Sequence, residues 1–330
     1  MSLALIQRLP IPTVADLIDL LPLLGAGLAL FLVSVIAITT VSLMRPPRRT
    51  YSFAVARNRP GDPRELDDPL EFTDATETHA GCRVAIWSIE GRAPDGPTVI
   101  LTHGWGQSRL HSLTRVPTAV PHARRVIAWD MPGHGESAGP TSLGPRETAS
   151  LISITKQYAD EEPFVLWGWS LGAEVTLRAA AALRGAGHDA RHDASDRLQG
   201  IILESAYRRG TTPARGVVSE ANYPSGPTLT ASLAIIGTLY GRPTDRFTDL
   251  TRYARTVAST PLVALHGTHD RVAPIKDART LSEAASGRLV EFDAGHVDLW
   301  KLPSVALGAA QALNDFAQLR VPPTDPAPTP

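Results

Sequence analysis

The stretch FVLWGWSLGAEVTL, residues 164–177, passes from an unbroken apolar run to a helical pattern within one turn. The run FVLW is typical of a buried strand, and LGAEVTL is typical of a helix. Gly168 and Gly172 flank Ser170, and a turn this sharp leaves no room for a side chain at either flanking position. The stretch predicts a serine hydroxyl raised above a sheet at a helix N-terminus, where developing negative charge is stabilised.

Similar apolar runs alternate with helical segments from about residue 70 to residue 320. The strand-like runs are CRVAIWSIEG, TVILTHG, RVIAWD, FVLWGWS, GIILESA, PLVALHG and RLVEFD. Helical spacing covers residues 144–158, 171–183, 277–286 and 304–319. Continuously apolar strands that alternate with helices predict a doubly wound, mostly parallel α/β sheet. Ligands of such sheets bind at the carboxyl ends of the strands.

A serine hydroxyl is a weak nucleophile without a base, and two further strand ends supply the missing groups. Asp270 follows PLVALHG and His296 follows RLVEFD, which gives the chain order Ser, Asp, His. We expect His296 Nε2 to take the proton of Ser170 and Asp270 to accept a hydrogen bond from Nδ1. Asp293 and Asp298 are rival carboxylates, but they neighbour His296 in sequence and do not end the preceding strand.

Acyl transfer also needs two donors for the oxyanion that forms on the attacked carbonyl. One is expected to be the backbone N–H of Leu171, which follows the nucleophile, and the other that of Trp105 in the loop ILTHGWGQS. This chemistry requires no metal and no organic cofactor. The segment GHDARHDASD, residues 187–196, combines two histidines with three aspartates, but a solvated loop is the favoured interpretation over a metal site.

Several motifs together resemble the serine hydrolases of the α/β-hydrolase superfamily. They are HGWG at His103–Gly106, WDMPGHGES at Trp129–Ser137, GWSLG, HGTHD and the pair Gly295–His296. The resemblance implies an α/β-hydrolase domain over residues 70–320, a small lid or crossover region at residues 207–260, and an acyl-enzyme intermediate. In those enzymes the G-H-G-x-S turn, here with His134 and Ser137, is expected to serve the structure.

An uncharged run precedes this domain. Residues 20–44 exceed the roughly 20 residues that cross a bilayer, which predicts one transmembrane helix. A cleaved signal peptide and a buried soluble helix are the alternatives; signal peptides usually begin with basic residues, whereas Asp16 and Asp19 precede this run. The arginines that follow it are Arg45, Arg48, Arg49, Arg57 and Arg59, against Arg8 before it. Positive residues stay in the cytoplasm, so a single-pass bacterial inner-membrane protein with a cytoplasmic catalytic domain is predicted.

The flanking segments are assigned by composition. Residues 1–19 form a short N-terminal segment, residues 45–69 a Pro/Arg-rich linker, and residues 321–330 a disordered tail. The anchor and compact domain together resemble the membrane-tethered lipase, lysophospholipase and thioesterase-like group. This narrower resemblance implies lipid-like or other acyl substrates. Residues 223–241 are mostly apolar and are interpreted either as an acyl-binding or membrane-facing lid or as an ordinary crossover helix.

Other function classes are less well supported. The formal net charge is −1, with no long run of one sign, so no nucleic-acid partner is expected. Cys82 is the one cysteine, which excludes an internal disulfide; it is interpreted as a small strand residue. A serine aminopeptidase of the same fold would need acidic groups near the substrate amine. Glu220 is the one acidic residue between residues 207 and 241, so this function is less well supported. A catalytically inactive, membrane-anchored binding module remains the alternative from another class.

Overall fold

Eight strands form one sheet in the order β1-β2-β4-β3-β5-β6-β7-β8. They are β1 Phe72–His79, β2 Cys82–Glu90, β3 Thr98–Thr102, β4 Arg125–Trp129, β5 Phe164–Trp169, β6 Leu198–Glu204, β7 Leu262–Gly267 and β8 Arg288–Phe292. Strands β3 to β8 run parallel, and β1 and β2 are antiparallel to their neighbours. The computed structural model describes residues 14–159, 162–185, 197–220, 226–241 and 248–318.

Ten helices accompany the sheet in the described ranges. They are α1 Val14–Met44, α2 Tyr51–Val55, α3 Val116–Ala119, α4 Pro145–Tyr158, α5 Leu171–Gly185, α6 Thr211–Glu220, α7 Pro227–Leu239, α8 Thr251–Thr256, α9 Ile275–Ala284 and α10 Pro303–Gln318. Short 3₁₀ turns lie at Pro63–Glu65, Arg109–Thr114, Val120–His122 and Leu299–Lys301. The architecture is a mostly parallel sheet with helices on both faces, as the sequence predicts.

Both faces of the sheet are covered, because successive side chains of a strand point to opposite faces. Ile100 belongs to one apolar cluster, which contains residues of α4 and α5. Its neighbours Val99 and Leu101 belong to a second cluster, which contains residues of α3 and α10. All residues of β3, β5, β6 and β7 are buried, which explains their unbroken apolar sequences.

The first strand is an element that the apolar pattern does not predict. Strand β1 reads FTDATETH, lies at the sheet edge and alternates in exposure along its length. It pairs with β2 from Phe72↔Ile89 to His79↔Cys82. An edge strand needs an apolar side chain only where it faces the core, so polar residues fill the other positions.

The N-terminal helix α1 continues directly into the domain. Its segment Ile18–Met44 is long and apolar enough to cross a membrane, by length and composition. The carbonyl oxygen of Met44 accepts a hydrogen bond from Thr141 N at 2.9 Å, and Arg48 Nη1 donates to Ser137 O at 2.8 Å. Beside it packs α7, whose buried Ser232 Oγ donates to Ile36 O at 3.1 Å. The end of α1 is therefore tied to the domain that contains the sheet.

Candidate active site

Ser170 occupies the turn between β5 and α5 in a strained backbone conformation, with φ of +54°. A Cβ atom at Gly168 would lie 2.2 Å from the carbonyl oxygen of Gly172, and one at Gly172 would lie 2.1 Å from that of Thr102. Real Cβ atoms do not approach backbone so closely. The two glycines therefore permit the turn for the steric reason anticipated from the sequence.

Ser170, His296 and Asp270 meet at the carboxyl edge of the sheet. His296 Nε2 lies 3.0 Å from Ser170 Oγ, and His296 Nδ1 lies 2.7 Å from Asp270 Oδ2. The other oxygen of Asp270 accepts hydrogen bonds from the backbone N–H groups of Val272 at 2.9 Å and Ala273 at 2.7 Å. In this arrangement Nδ1 carries the imidazole proton toward the carboxylate, and Nε2 is free to accept the serine proton.

The rival carboxylates have other partners. Asp293 Oδ1 lies 2.8 Å from His269 Nδ1 on the surface, and Asp298 Oδ1 lies 2.7 Å from Lys301 Nζ. Within the described part of the chain, Asp270 is the carboxylate that pairs with His296. The geometry thus separates Asp270 from the two aspartates that neighbour His296 in sequence.

A second histidine supports the Asp270 loop from behind. His266 is buried, and its Nε2–H donates to Ala273 O at 2.7 Å, while the same nitrogen lies 3.6 Å from Asp270 Oδ2. Burial lowers the pKa of His266, so the ring is neutral near pH 7. It fixes the residues whose N–H groups bind Asp270 and does not reach the serine.

The backbone N–H groups of Leu171 and Trp105 are both available to donate hydrogen bonds to a substrate oxygen. Leu171 is the first residue of α5, so its N–H has no partner inside the helix. Among the described residues, Trp105 N donates to no protein acceptor. A Cβ atom at Gly104 would lie 3.3 Å from Ser170 Cβ, which shows how closely the Trp105 loop approaches the serine.

Buried His103 holds that loop in position. Its Nδ1–H donates to Gly104 O at 2.8 Å, and its Nε2 accepts from Met131 N at 2.9 Å. Burial lowers the pKa of His103 well below its usual value, which keeps the ring in this neutral form. The ring of His134 packs edge-on against His103 with centroids 5.0 Å apart.

Ser137 has a purely structural position in the G-H-G-x-S turn. Its hydroxyl donates to Asp130 O at 2.6 Å and accepts from Ala85 N at 2.9 Å. It therefore ties the turn to the sheet, as expected from the sequence.

A cavity of about 720 Å³ contains Ser170 and His296 in its wall. Most of its lining is apolar, including Leu43 from the end of α1 and Val217 from α6. The segment 45–69 contributes Arg49, Phe53 and Arg59 to the same wall, a role that its composition did not reveal. None of the described residues of 223–241 lines the cavity; α7 lies instead along α1.

The cavity wall also contains a buried ion pair that sequence reasoning missed. Arg115 Nε donates to Glu204 Oε1 at 2.9 Å, and the indole N–H groups of Trp167 and Trp300 donate to the two oxygens of Glu204 at 2.5 and 2.7 Å. The Arg115 guanidinium lies 3.6 Å from the ring centroid of Trp169. Arg115 and Glu204 are 89 residues apart, and neither stands in a motif, so no sequence signal joins them.

The remaining candidates lie partly outside the described chain. Residues 187–196, considered for metal binding, lie outside the described residues, as does the side chain of Glu220. Among the described residues no group of three His, Cys, Asp or Glu side chains could hold a metal ion. Cys82 is buried, and its sulfur accepts from Arg146 Nε at 3.2 Å.

Comparison with known proteins identifies relatives of this arrangement. The sequence model of the Alpha/beta hydrolase family matches residues 99–307, more than half of the chain. Human Protein ABHD12B is 28% identical over 202 residues, 59% of this chain and 52% of that protein. A pimeloyl-[acyl-carrier protein] methyl ester esterase of Vibrio vulnificus is 34% identical over 96 residues, 28% of this chain and 34% of that protein. The chain thus spans about a third to a half of the length of these curated relatives.

Solved structures agree in fold. An esterase of Pyrococcus furiosus superposes with a TM-score of 0.61 at 19% identity, covering 84% of this chain and 98% of that one. The enol-lactonase of Burkholderia xenovorans LB400 superposes with a TM-score of 0.52 at 20% identity, covering 74% of this chain and 100% of that one. At such identities the likeness is one of fold.

Proposed function

The chain belongs to the alpha/beta hydrolase family, and from this we propose that it is a serine hydrolase that cleaves carboxylic esters or thioesters through an acyl-enzyme. The observation that carries the proposal is the continuous contact of Ser170 Oγ, His296 and Asp270 at a cavity wall. The esterases and the enol-lactonase among its relatives and structural neighbours support hydrolase activity.

The proposed reaction follows from this geometry. Ser170 Oγ attacks the substrate carbonyl carbon while its proton moves to His296 Nε2, and the negative charge on the carbonyl oxygen is stabilised by the N–H groups of Leu171 and Trp105. His296 then gives the proton to the leaving alcohol or thiol, and the acyl group stays on Ser170. Water, deprotonated by His296, releases the acid by the same route in reverse order. Asp270 holds the imidazole tautomer throughout.

The substrate is proposed to be lipid-like and to be reached at a membrane. Leu43 belongs both to the end of α1 and to the cavity wall, so a membrane-spanning α1 would hold the cavity beside the bilayer. α7 carries no charged residue and contacts α1 at Ile36, eight residues before Met44. At 1.5 Å per residue that contact lies about 12 Å from the helix end. In this arrangement α1 is the single-pass anchor, and residues 70–320 form the cytoplasmic catalytic domain.

The serine aminopeptidase is less compatible with the cavity. Within the described lining, Glu204 is the one carboxylate, and Arg115 and two indole N–H groups already occupy it. A substrate ammonium group would need a carboxylate that is free to bind it. The inactive binding module is disfavoured because each partner needed for acyl transfer is in hydrogen-bonding position.

The proposal is tested with a panel of 4-nitrophenyl esters from acetyl to palmitoyl, hydrolysed by the full chain in nanodiscs. We expect kcat/KM to rise from acetyl to a medium or long acyl chain, because most of the cavity wall is apolar. Ser170→Ala should abolish turnover, with Ser142→Ala, a buried serine of the α4 N-terminal loop, as the matched control. A maximum at acetyl with no long-chain turnover would overturn the lipid-like substrate, and turnover unchanged in Ser170→Ala would overturn the mechanism.

A further inference from the structure

Two arginines in the cavity wall form no ion pair with an acidic residue in the described part of the chain. The cavity lining holds four cationic side chains, namely Arg49, Arg59, Arg115 and Lys301. Arg115 pairs with Glu204, and Lys301 pairs with Asp298 outside the wall. Throughout the described residues, neither Arg49 nor Arg59 has a carboxylate within ion-pair distance. Among the described residues the cavity wall therefore combines apolar side chains with two arginines outside any ion pair, and Arg49 lies between this cavity and a smaller pocket whose wall holds Asp62, Asp74, Asp130 and Glu136.

The contact that Arg49 does make is incomplete. Arg49 Nη1 lies 3.0 Å from His111 Nε2, and the backbone N–H of Ser108 lies 3.2 Å from His111 Nδ1. Burial, followed by the charges of Arg49 and Arg115, lowers the pKa of His111 to about 4, so the ring is neutral near pH 7. A neutral imidazole offers one acceptor, yet two donors face it. The backbone N–H of Ser108 is fixed, whereas the guanidinium of Arg49 can move away from the ring. Its N–H groups can then donate to another acceptor.

Arg57 brings a second positive charge close to Arg49. Its Cζ lies 5.0 Å from the ring centroid of Phe53, and Arg57 Cζ lies 3.8 Å from the same centroid. Partial burial and then the charge of Arg57 lower the pKa of Arg49. Like charges gathered at a half-buried place destabilise the free protein unless an anion joins them. On the side that faces the cavity, this pair of arginines can therefore bind an anion.

We propose that Arg49 and Arg59 bind an anionic oxygen group, a phosphate or a carboxylate, carried by the substrate itself. The inference rests on the proposed function and deepens it, since it makes the substrate an acyl ester that is both apolar and anionic. Guanidinium groups bind such oxygens through paired, charge-assisted hydrogen bonds. The apolar wall holds the acyl chain, and Arg49 is a specificity-determining residue that lies apart from the reacting atoms.

The test compares two esters that differ in one phosphate, 1-oleoylglycerol and 1-oleoylglycerol 3-phosphate, with the full chain in nanodiscs of zwitterionic lipid. The measured quantity is the ratio of kcat/KM for the phosphate ester to that for the neutral ester. We expect the wild-type ratio to exceed about 10, and Arg49→Gln to lower it about 10- to 100-fold, as for loss of a charged hydrogen bond. Arg64→Gln removes the same charge from the same segment outside the cavity wall and should leave the ratio within about twofold.

Two other outcomes would overturn the anion subsite. A ratio near 1 for the wild type, or one that Arg49→Gln and Arg64→Gln change equally, overturns the subsite and leaves the hydrolase standing. An Arg49 effect on the neutral ester that appears only after anionic lipid is added assigns the site to the bilayer and also overturns the proposal.

A binding arm separates this inference from the proposed function. If the wild type hydrolyses neither ester, the hydrolase fails, and the 1-O-octadecyl ether analogue of the phosphate ester is used instead. Its affinity is measured through the fluorescence of the cavity tryptophans, which include Trp105, Trp169 and Trp300. About tenfold or greater weakening by Arg49→Gln supports the subsite, and equal affinity overturns it.

Discussion

At the residue scale, the position of Asp270 determines which nitrogen of His296 can act as a base. One carboxylate oxygen binds two backbone N–H groups and the other binds His296 Nδ1, so the carboxylate cannot turn away from the ring. His266 supports the same loop through Ala273 O. A group held this firmly serves to orient its partner, and its removal should reduce the rate without disturbing the substrate cavity.

We therefore predict that Asp270→Asn lowers kcat for ester hydrolysis by about 10³- to 10⁴-fold with a small change in KM. The amide favours the wrong imidazole tautomer, which removes the lone pair that accepts the Ser170 proton. Steady-state kinetics at pH 7.5 measures the effect.

Asp293→Asn and Asp298→Asn are the matched controls, because both side chains bind elsewhere at the surface. Each should retain kcat within about twofold. A loss in Asp293→Asn or Asp298→Asn comparable with that in Asp270→Asn would reassign the orienting carboxylate.

The meeting of the three proposed catalytic residues was predictable because each follows its own strand in the expected order, and parallel strands bring their carboxyl ends to one edge. Ser170, Asp270 and His296 therefore converge without any knowledge of tertiary contacts. The Arg115–Glu204 pair could not be found in this way. Its partners are distant in sequence, and only the packing of Trp167 and Trp300 around Glu204 shows that the charges meet.

At the element scale, strand and helix positions followed from apolar periodicity, whereas the uses of the connecting segments did not. The predicted helix at residues 277–286 forms at Ile275–Ala284. It begins directly after Pro274, which is the N-cap residue and needs no backbone N–H for the first helical hydrogen bonds. Strand β1 was not predicted, since an exposed edge strand needs few apolar residues. Segment 45–69 contains α2 and the turn Pro63–Glu65, and its contacts with the cavity depend on tertiary packing.

The packing of α7 against α1 leads to a prediction about the bilayer. Leu239 is 62% exposed at the end of an uncharged helix that runs beside α1, so it should contact lipid if α1 spans the membrane. An environment-sensitive fluorophore on Leu239→Cys, in a Cys82→Ala background, should shift to shorter wavelength in nanodiscs relative to a denatured sample.

The same label on Arg279→Cys is the control, because Arg279 is exposed on α9 and paired with Glu291. We expect no blue shift at this site. Equal emission at both sites in nanodiscs would contradict the membrane location of α7.

At the scale of the whole molecule, buried neutral histidines control how stability depends on pH. Burial lowers the pKa of His134 to about 4 and that of His103 well below its usual range. Burial, together with the positive charges of nearby arginines, lowers the pKa of His111 to about 4. Unfolded histidines bind protons below about pH 6.5, so these three groups lose stabilisation as the pH falls from about 6.5 toward 4. Asp130 acts in the opposite sense, because burial raises its pKa to about 6.

The histidines outweigh Asp130, so the free energy of unfolding should fall between pH 7 and pH 4.5, by an amount on the order of 3 kcal/mol for each of His111 and His134. The urea midpoint in detergent measures this change. His134→Gln should reduce this fall by about the contribution of one histidine, measured beside the surface variant His269→Gln. Stability that rises steadily toward pH 4.5 would contradict the neutral, buried histidines.

The central claim is that Ser170 is an activated nucleophile, and covalent labelling tests it most directly. The full chain in nanodiscs is treated with a fluorophosphonate at pH 7.5, and the modified peptide is identified by mass spectrometry. We predict one phosphonate per chain on Ser170, at least about 100-fold slower labelling in His296→Ala, and none in Ser170→Ala. Failure of the folded wild-type protein to react, or a label on another serine, would contradict the account.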